Sequence, residues 1–160
     1  MRRPRRWLVP LSVLILVGSG LLAGQAMLSH SRPNQDLRPT AGKLPACPDT
    51  PNCVSTQATR ADQKMDPIKV SGDPDQAFQR LVKLLQGQTR TRLVEQTADY
   101  AHFEFTTLVF RFVDDVQLLL DRDQGVIHFR SASRVGHSDL GTNRRRMTTL
   151  VNKFESLPNR

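Results

Sequence analysis

The chain reads as an α+β domain behind an N-terminal transmembrane helix. Its expected architecture is an antiparallel sheet of about five strands in β-α-β-β-β-β-α order, with two helices on one face. Three observations predict this. Residues 90–134 alternate apolar and polar with a period of two, the signature of half-buried strands. Two segments flanking that stretch, 73–87 and 142–157, carry apolar stripes at helical spacing. Trp7 to Leu28 is a run of 22 residues without a single charge.

The N-terminal run comes first. A helix of that length spans about 33 Å, enough for a hydrocarbon core of about 30 Å. Arg2, Arg3, Arg5 and Arg6 precede it with no acid among them, which holds residues 1–6 in the cytoplasm. Everything after Leu28 is then expected across an inner membrane, on the periplasmic or extracytoplasmic side. Gly24 and Ala26 also fit the −3 and −1 positions of a signal cut after Ala26. Gln25 stands where a lipoprotein box would need its Cys. Residues 29–44, polar and stiffened by Pro33 and Pro39, read as a linker to an exported domain over 45–160.

The charge divides along the same line. The whole chain is formally +8, but setting aside the first four arginines leaves 19 basic against 15 acidic residues. The chain is 6% aromatic and its exported domain lacks the interleaved rings of a base-stacking surface, so no nucleic-acid partner is expected. The four His are too dispersed for a zinc site, and neither metal nor cofactor is expected.

Cys47 and Cys53 close Cys47-Pro48-Asp49-Thr50-Pro51-Asn52-Cys53, which in an oxidising compartment is most simply a disulfide loop. A short strand is expected near Ile68–Val70. Asp73 then caps a helix that Pro74 opens and Gly87 stops, with Ala77, Phe78, Leu81, Val82, Leu84 and Leu85 facing the core. Arg92–Thr97 and the stretch around Phe103 and Phe105 form the next two strands. In the strand after them, Phe110, Phe112, Val116, Leu118 and Leu120 are expected inward, and Arg111, Asp115, Gln117 and Asp121 outward. Asp121 to Gly125 is a turn, and Val126–Ser133 is a strand with Ile127 and Phe129 inward. Met147, Leu150, Val151, Phe154 and Leu157 line the closing helix.

Three features break the pattern. Asp114 falls on the inward face, and Ser131 and Ser133 continue that of the next strand; a buried carboxylate needs a partner. Arg130, Arg134, Arg144, Arg145 and Arg146 have only Asp139 among them, and three arginines at a helix start oppose its dipole. Something negative must lie near them: Asp114, Asp115 or Asp139, or a bound carboxylate, phosphate or lipid headgroup. Gly136-His137-Ser138-Asp139 reads as a sharp turn into the helix. A hydrolase would need one of these aspartates to reach a His that itself reaches a Ser.

Three segments carry a wider resemblance: Cys47-Pro48-Asp49-Thr50-Pro51-Asn52-Cys53-Val54-Ser55, Phe110-Arg111-Phe112-Val113-Asp114-Asp115-Val116, and the run from Arg130 through Arg144. Together they closely resemble the family named domain of unknown function 1499, over about residues 45–157. His137 and Thr142 depart from it, standing where the family favours an aromatic and an aliphatic residue. The resemblance implies a domain found behind membrane or export segments, in bacteria and in plastid-bearing eukaryotes. It implies no activity, cofactor or substrate. The expected function is that of a membrane-anchored envelope domain, non-enzymatic and without catalytic residues. It would bind an anionic small molecule, a lipid headgroup or an envelope protein partner through Arg130, Arg134, Asn143, Arg144 and Arg145. Asp114, Asp115, Ser131, Ser133, Ser138 and Asp139 would form a polar network around them. The alternative is a structural or assembly module whose arginines are paired internally.

Overall fold

The computed structural model describes residues 36–158, together with Gly20, Gly24 and Pro33. The membrane segment expected over 7–28 lies outside this range apart from the two glycines. Among the described residues no helix is long and apolar enough to cross a membrane.

The elements run β1 (Cys53–Ser55), β2 (Ile68–Lys69), α1 (Pro74–Gln86), β3 (Thr91–Gln96), β4 (Tyr100–Thr106), β5 (Val113–Asp121), β6 (Val126–Ser133) and α2 (Thr142–Glu155). The fold is α+β, with one antiparallel sheet of six strands ordered β1-β6-β5-β4-β3; β2 pairs with β6 further along the same edge. The sixth strand corrects the expectation of about five. At three residues β1 is too short to show a period, and its pairing of Cys53, Val54 and Ser55 with Ala132, Ser131 and Arg130 defines it.

The first helix starts as its sequence requires. The Asp73 carboxylate accepts from the Gln76 N–H at 2.8 Å, and Pro74 occupies the first turn, where its missing N–H costs nothing. Phe78, Leu81 and Leu85 of α1 and Met147, Leu150 and Phe154 of α2 pack on one face of the sheet, against Phe103, Val116, Leu118, Ile127 and Phe129. Helical and strand periods therefore meet in one core.

The strand after β4 differs from its expected form. Phe110 and Phe112 belong to a loop, because β5 begins at Val113; Phe110 is half exposed, beside exposed Leu108 and Val109. From Val113 on, the alternation holds, and it carries Asp114 inward.

The second sheet face is covered as well. Residues 36–44, which read as linker in the sequence, pack across it: Leu44 sits with Tyr100 and Leu119, and the Tyr100 hydroxyl donates to the Leu37 carbonyl at 2.9 Å. Asp115 and Gln117 are therefore buried although they face away from the helices. Cys47 and Cys53 stand at disulfide-bonding distance, with Cα atoms 5.7 Å apart, and tie the end of this covering segment to β1.

Candidate functional site

Cross-strand register sorts the polar residues onto the two faces. On the helix side, Asp114 pairs with Ser133, and Val116 with Ser131. The Ser133 hydroxyl donates to Asp114 at 2.5 Å, and Arg146, reaching down from α2, holds the other carboxylate oxygen at 2.5 Å. The Arg146 guanidinium also lies over the Phe105 ring, 4.8 Å from its centroid. Asn143, fully buried, accepts from Ser131 and Arg146 and donates to Ser133 and to the Asn52 carbonyl. This closed network locks α2 to β6 and to the residue before β1.

The start of α2 meets its negative partner in Asp139. One carboxylate oxygen accepts from the Asn143 N–H at 2.6 Å and the other from the Gly141 N–H at 2.9 Å. Gly141 takes the left-handed conformation at φ 75° and has no side chain to cap with, so Asp139 supplies the charge that the helix dipole favours. Ser138 accepts from the Leu140 N–H in the same turn.

The arginines do not form one cluster. Arg144 donates to the Asp62 and Lys64 carbonyls, and Arg145 to the Leu140 carbonyl and Thr142. Arg130 and Arg134 lie on the opposite sheet face. Strand parity explains the split, because both alternate with inward Phe129, Ser131 and Ser133.

On that outer face two rows meet: His102, Gln117 and Arg130, and beside it Glu104, Asp115 and Ala132. Arg134 binds Asp115 through two nitrogens, at 2.8 and 2.7 Å, and Glu104 at 2.5 Å; His102 adds a contact to Asp115 at 2.7 Å. Burial pushes the Asp115 and Glu104 carboxyls up. The Arg134 contact on each, joined by His102 on Asp115 and Arg92 on Glu104, more than reverses this, so both titrate below the ordinary range. The stability they supply is therefore present above the unfolded carboxyl values of about 4 and is lost as pH falls through the lowered folded values. Melting temperature is expected to hold down to about pH 5 and to fall steeply below pH 4. A pH series of thermal melts checks this, with Arg134→Gln expected to flatten the dependence.

Arg130 is different. It is 4% exposed and, among the described residues, donates only to the Gln117 amide oxygen at 3.1 Å and leaves its Nε without a partner. The Gln117 amide nitrogen is likewise unpaired. Burial lowers the affinity of Arg130 for its proton, with Asp115 and the Tyr100 ring opposing that. An open cavity of about 400 Å³ lies beside it, between the sheet and the covering segment, lined also by Arg134, Asp115, Thr50, Asn52 and Leu37.

Two further hollows lie at the far end of β4, and no local motif marks them. One, about 600 Å³, sits between the 107–112 and 134–141 loops, with Phe105, Phe110, Phe112 and Val135 among its walls. The other, about 320 Å³, is ringed by Arg90, Arg92, Arg111 and Arg134 with Glu104 as its one acid. Their residues are scattered in the chain, and only the pairing of β3, β4 and β5 brings them to one end of the sheet. A register drawn from the alternation pattern could have found them.

The hydrolase arrangement is not assembled among the described residues. Asp114 bonds Ser133 and Arg146; Asp139 bonds backbone N–H groups; His102 reaches Asp115 and no serine; His128 bonds Thr56. Nor do three His, Cys, Asp or Glu side chains converge there as metal ligands would.

No curated protein matches the chain. The family described as protein of unknown function (DUF1499) matches over residues 43–154, a span running from the covering segment through β1 and the sheet to the last turn of α2. The chain belongs to that family.

Proposed function

We propose that the domain is a non-enzymatic binding module of the cell envelope that takes a small anion, a carboxylate or a phosphate, in the cavity beside Arg130. One observation carries this reading: a guanidinium almost wholly buried, held by a single amide oxygen, with an unpaired Nε and a cavity at its side. A buried charge is normally ion-paired or fully hydrogen-bonded, because removing it from water without compensation is expensive. On this face three guanidinium groups, Arg92, Arg130 and Arg134, meet two carboxylates, Glu104 and Asp115. An anion in the cavity would meet Arg130, which lines it, and offset its buried charge.

The membrane anchor over 7–28 and the extracytoplasmic placement belong to the same proposal. The uncharged run behind four arginines supports the anchor, and the Cys47–Cys53 pair supports an oxidising compartment. Carbonate extraction of membranes with protease protection of the domain tests both; release into the soluble fraction, or digestion from the cytoplasmic side, would count against them.

The anion reading is tested on the full chain by thermal melts and calorimetry with inorganic phosphate, succinate and chloride at equal ionic strength. Phosphate or succinate is expected to raise the melting temperature where chloride does not. An anion at 100 times its Kd would add about 2.7 kcal/mol. Arg130→Met should abolish that response and, by replacing an uncompensated buried charge with an apolar chain, leave the unliganded protein as stable as before or more so. Absence of any anion-specific shift, or an undiminished shift in Arg130→Met, would sink the reading.

A further inference from the structure

The 600 Å³ cleft, on the helix side of the sheet, and the arginine-ringed hollow, on its outer face, share Arg90 and Thr106 and so adjoin at the end of β4. The cleft has the size of a ligand pocket rather than of a packing defect. Its apolar walls rise into exposed tips: Leu108 and Val109 are 69% and 75% exposed on one loop, and Leu140 is 83% exposed on the other. Of the carboxylates along the cleft, Asp114 is held by Arg146 and Ser133, and Asp139 by the N–H groups that start α2. The adjoining hollow is lined by four arginines and Glu104, of which Arg92 is paired with Glu104 and Arg134 with Glu104 and Asp115. Arg90, exposed, donates its Nε to the Thr106 carbonyl and meets no carboxylate among the described residues.

The backbone at this end is held in an uncommon form. Arg90, Arg111 and Leu140 adopt positive φ angles of 57°, 52° and 53°, although none is glycine. Each such residue costs on the order of 1–3 kcal/mol unless its surroundings enforce it, and such residues gather at binding sites.

We propose that these two hollows are one site for a single-chain anionic amphiphile of the fatty-acid type. The aliphatic chain lies in the cleft over the hydrogen-bonded floor, and the anionic head sits on Arg90, which lines both hollows. Charge complementarity fixes the orientation: the reversed pose would bury the head against the paired Asp114 carboxylate and set the chain among guanidinium groups. The site lies around the end of β4, apart from the Arg130 side chain, so its occupancy is independent of the anion reading above.

The test is photolabelling of the full chain, with labelled residues mapped by mass spectrometry. One arm uses a diazirine-bearing palmitate with the protein in amphipol, and the other a diazirine-bearing phosphatidylglycerol in nanodiscs. Labelling of Phe105 and Val135, deep in the cleft, is the expected result. It is expected in the palmitate arm, and labelling of these residues in the phosphatidylglycerol arm alone would overturn the single-chain acid in favour of a two-chain bilayer lipid. Val135→Trp, which fills the cleft, should cut labelling at least tenfold with an unchanged melting temperature. Arg90→Gln should raise the half-saturating palmitate concentration about tenfold, and the uncharged methyl ester should label as weakly as that variant does. Labelling of neither deep residue in both arms, labelling confined to Leu108, Val109, Phe110 and Leu140, equal labelling by the methyl ester, or insensitivity to Val135→Trp would each overturn the proposal.

Discussion

Arg146→Met is expected to destabilise the domain by about 3–5 kcal/mol, because it strands the Asp114 carboxylate inside the sheet–helix interface. Asp114 is 2% exposed and keeps only the Ser133 hydroxyl once the guanidinium is gone. Set against a total stability of about 5–15 kcal/mol for a typical domain, that loss is large. Chemical denaturation at pH 7 measures it. The double variant Asp114→Asn with Arg146→Met should recover much of the deficit, since an amide remains bonded to Ser133 without a charge to solvate. If the double variant were as unstable as the single one, stem packing of Arg146 over Phe105, and not the ion pair, would be the source of the effect.

Asn143→Leu is the second large expected effect. Leu keeps the branching of Asn but is larger, so the loss combines broken hydrogen bonds with overpacking of a fully buried site. Ser131 would lose its acceptor, Arg146 one of its partners, and the Asn52 carbonyl one of its two donors. Each buried group left unpaired costs roughly 1–3 kcal/mol. Because Asn143 joins α2 to Asn52 and β6, the loss should also appear as faster hydrogen exchange in α2 and β1 than in β4. Uniform acceleration throughout the domain would show instead that α2 and the sheet open as one unit.

Much of this interior is legible in the amino-acid pattern. The period of two marks the central strands, Asp73-Pro74 marks the start of α1, and the inward parity of Asp114 marks it as needing a partner. That partner is Arg146, in the last helix, and no local pattern points to it because a helix crossing angle is not encoded in neighbouring residues. The burial of Asp115 and Gln117 is hidden for a similar reason. Both alternate outward, and residues 36–44, folded back with the following loop over a face that the alternation leaves to solvent, help remove them from water. The arginines between 130 and 146 form one positive patch only when counted along the chain. Alternation places Arg130 and Arg134 on one face, and the reversal of direction at Gly141 sends Arg144, Arg145 and Arg146 to the other. Arg90, Arg92 and Arg111 are neither neighbours nor periodic in the chain; they become neighbours through the pairing of Thr91 with Phe105 and of Thr106 with Val113.

Asp114 and Asp115 stand next to each other in the chain and belong to opposite sides of the sheet. Such a doublet makes β5 intolerant of changes in length. Inserting or deleting one residue within β5 would exchange the two faces beyond that point, and placed just before Asp114 it would deliver a carboxylate without its arginine to each face. The loop at 107–112 carries no such constraint, since its residues sit outside the ladder. Among descendants of a common ancestor, insertions and deletions should therefore collect in that loop and be absent from β5, so that the distance in residues from Asp114 to Ser133 stays constant while the spacing from Phe105 to Asp114 drifts.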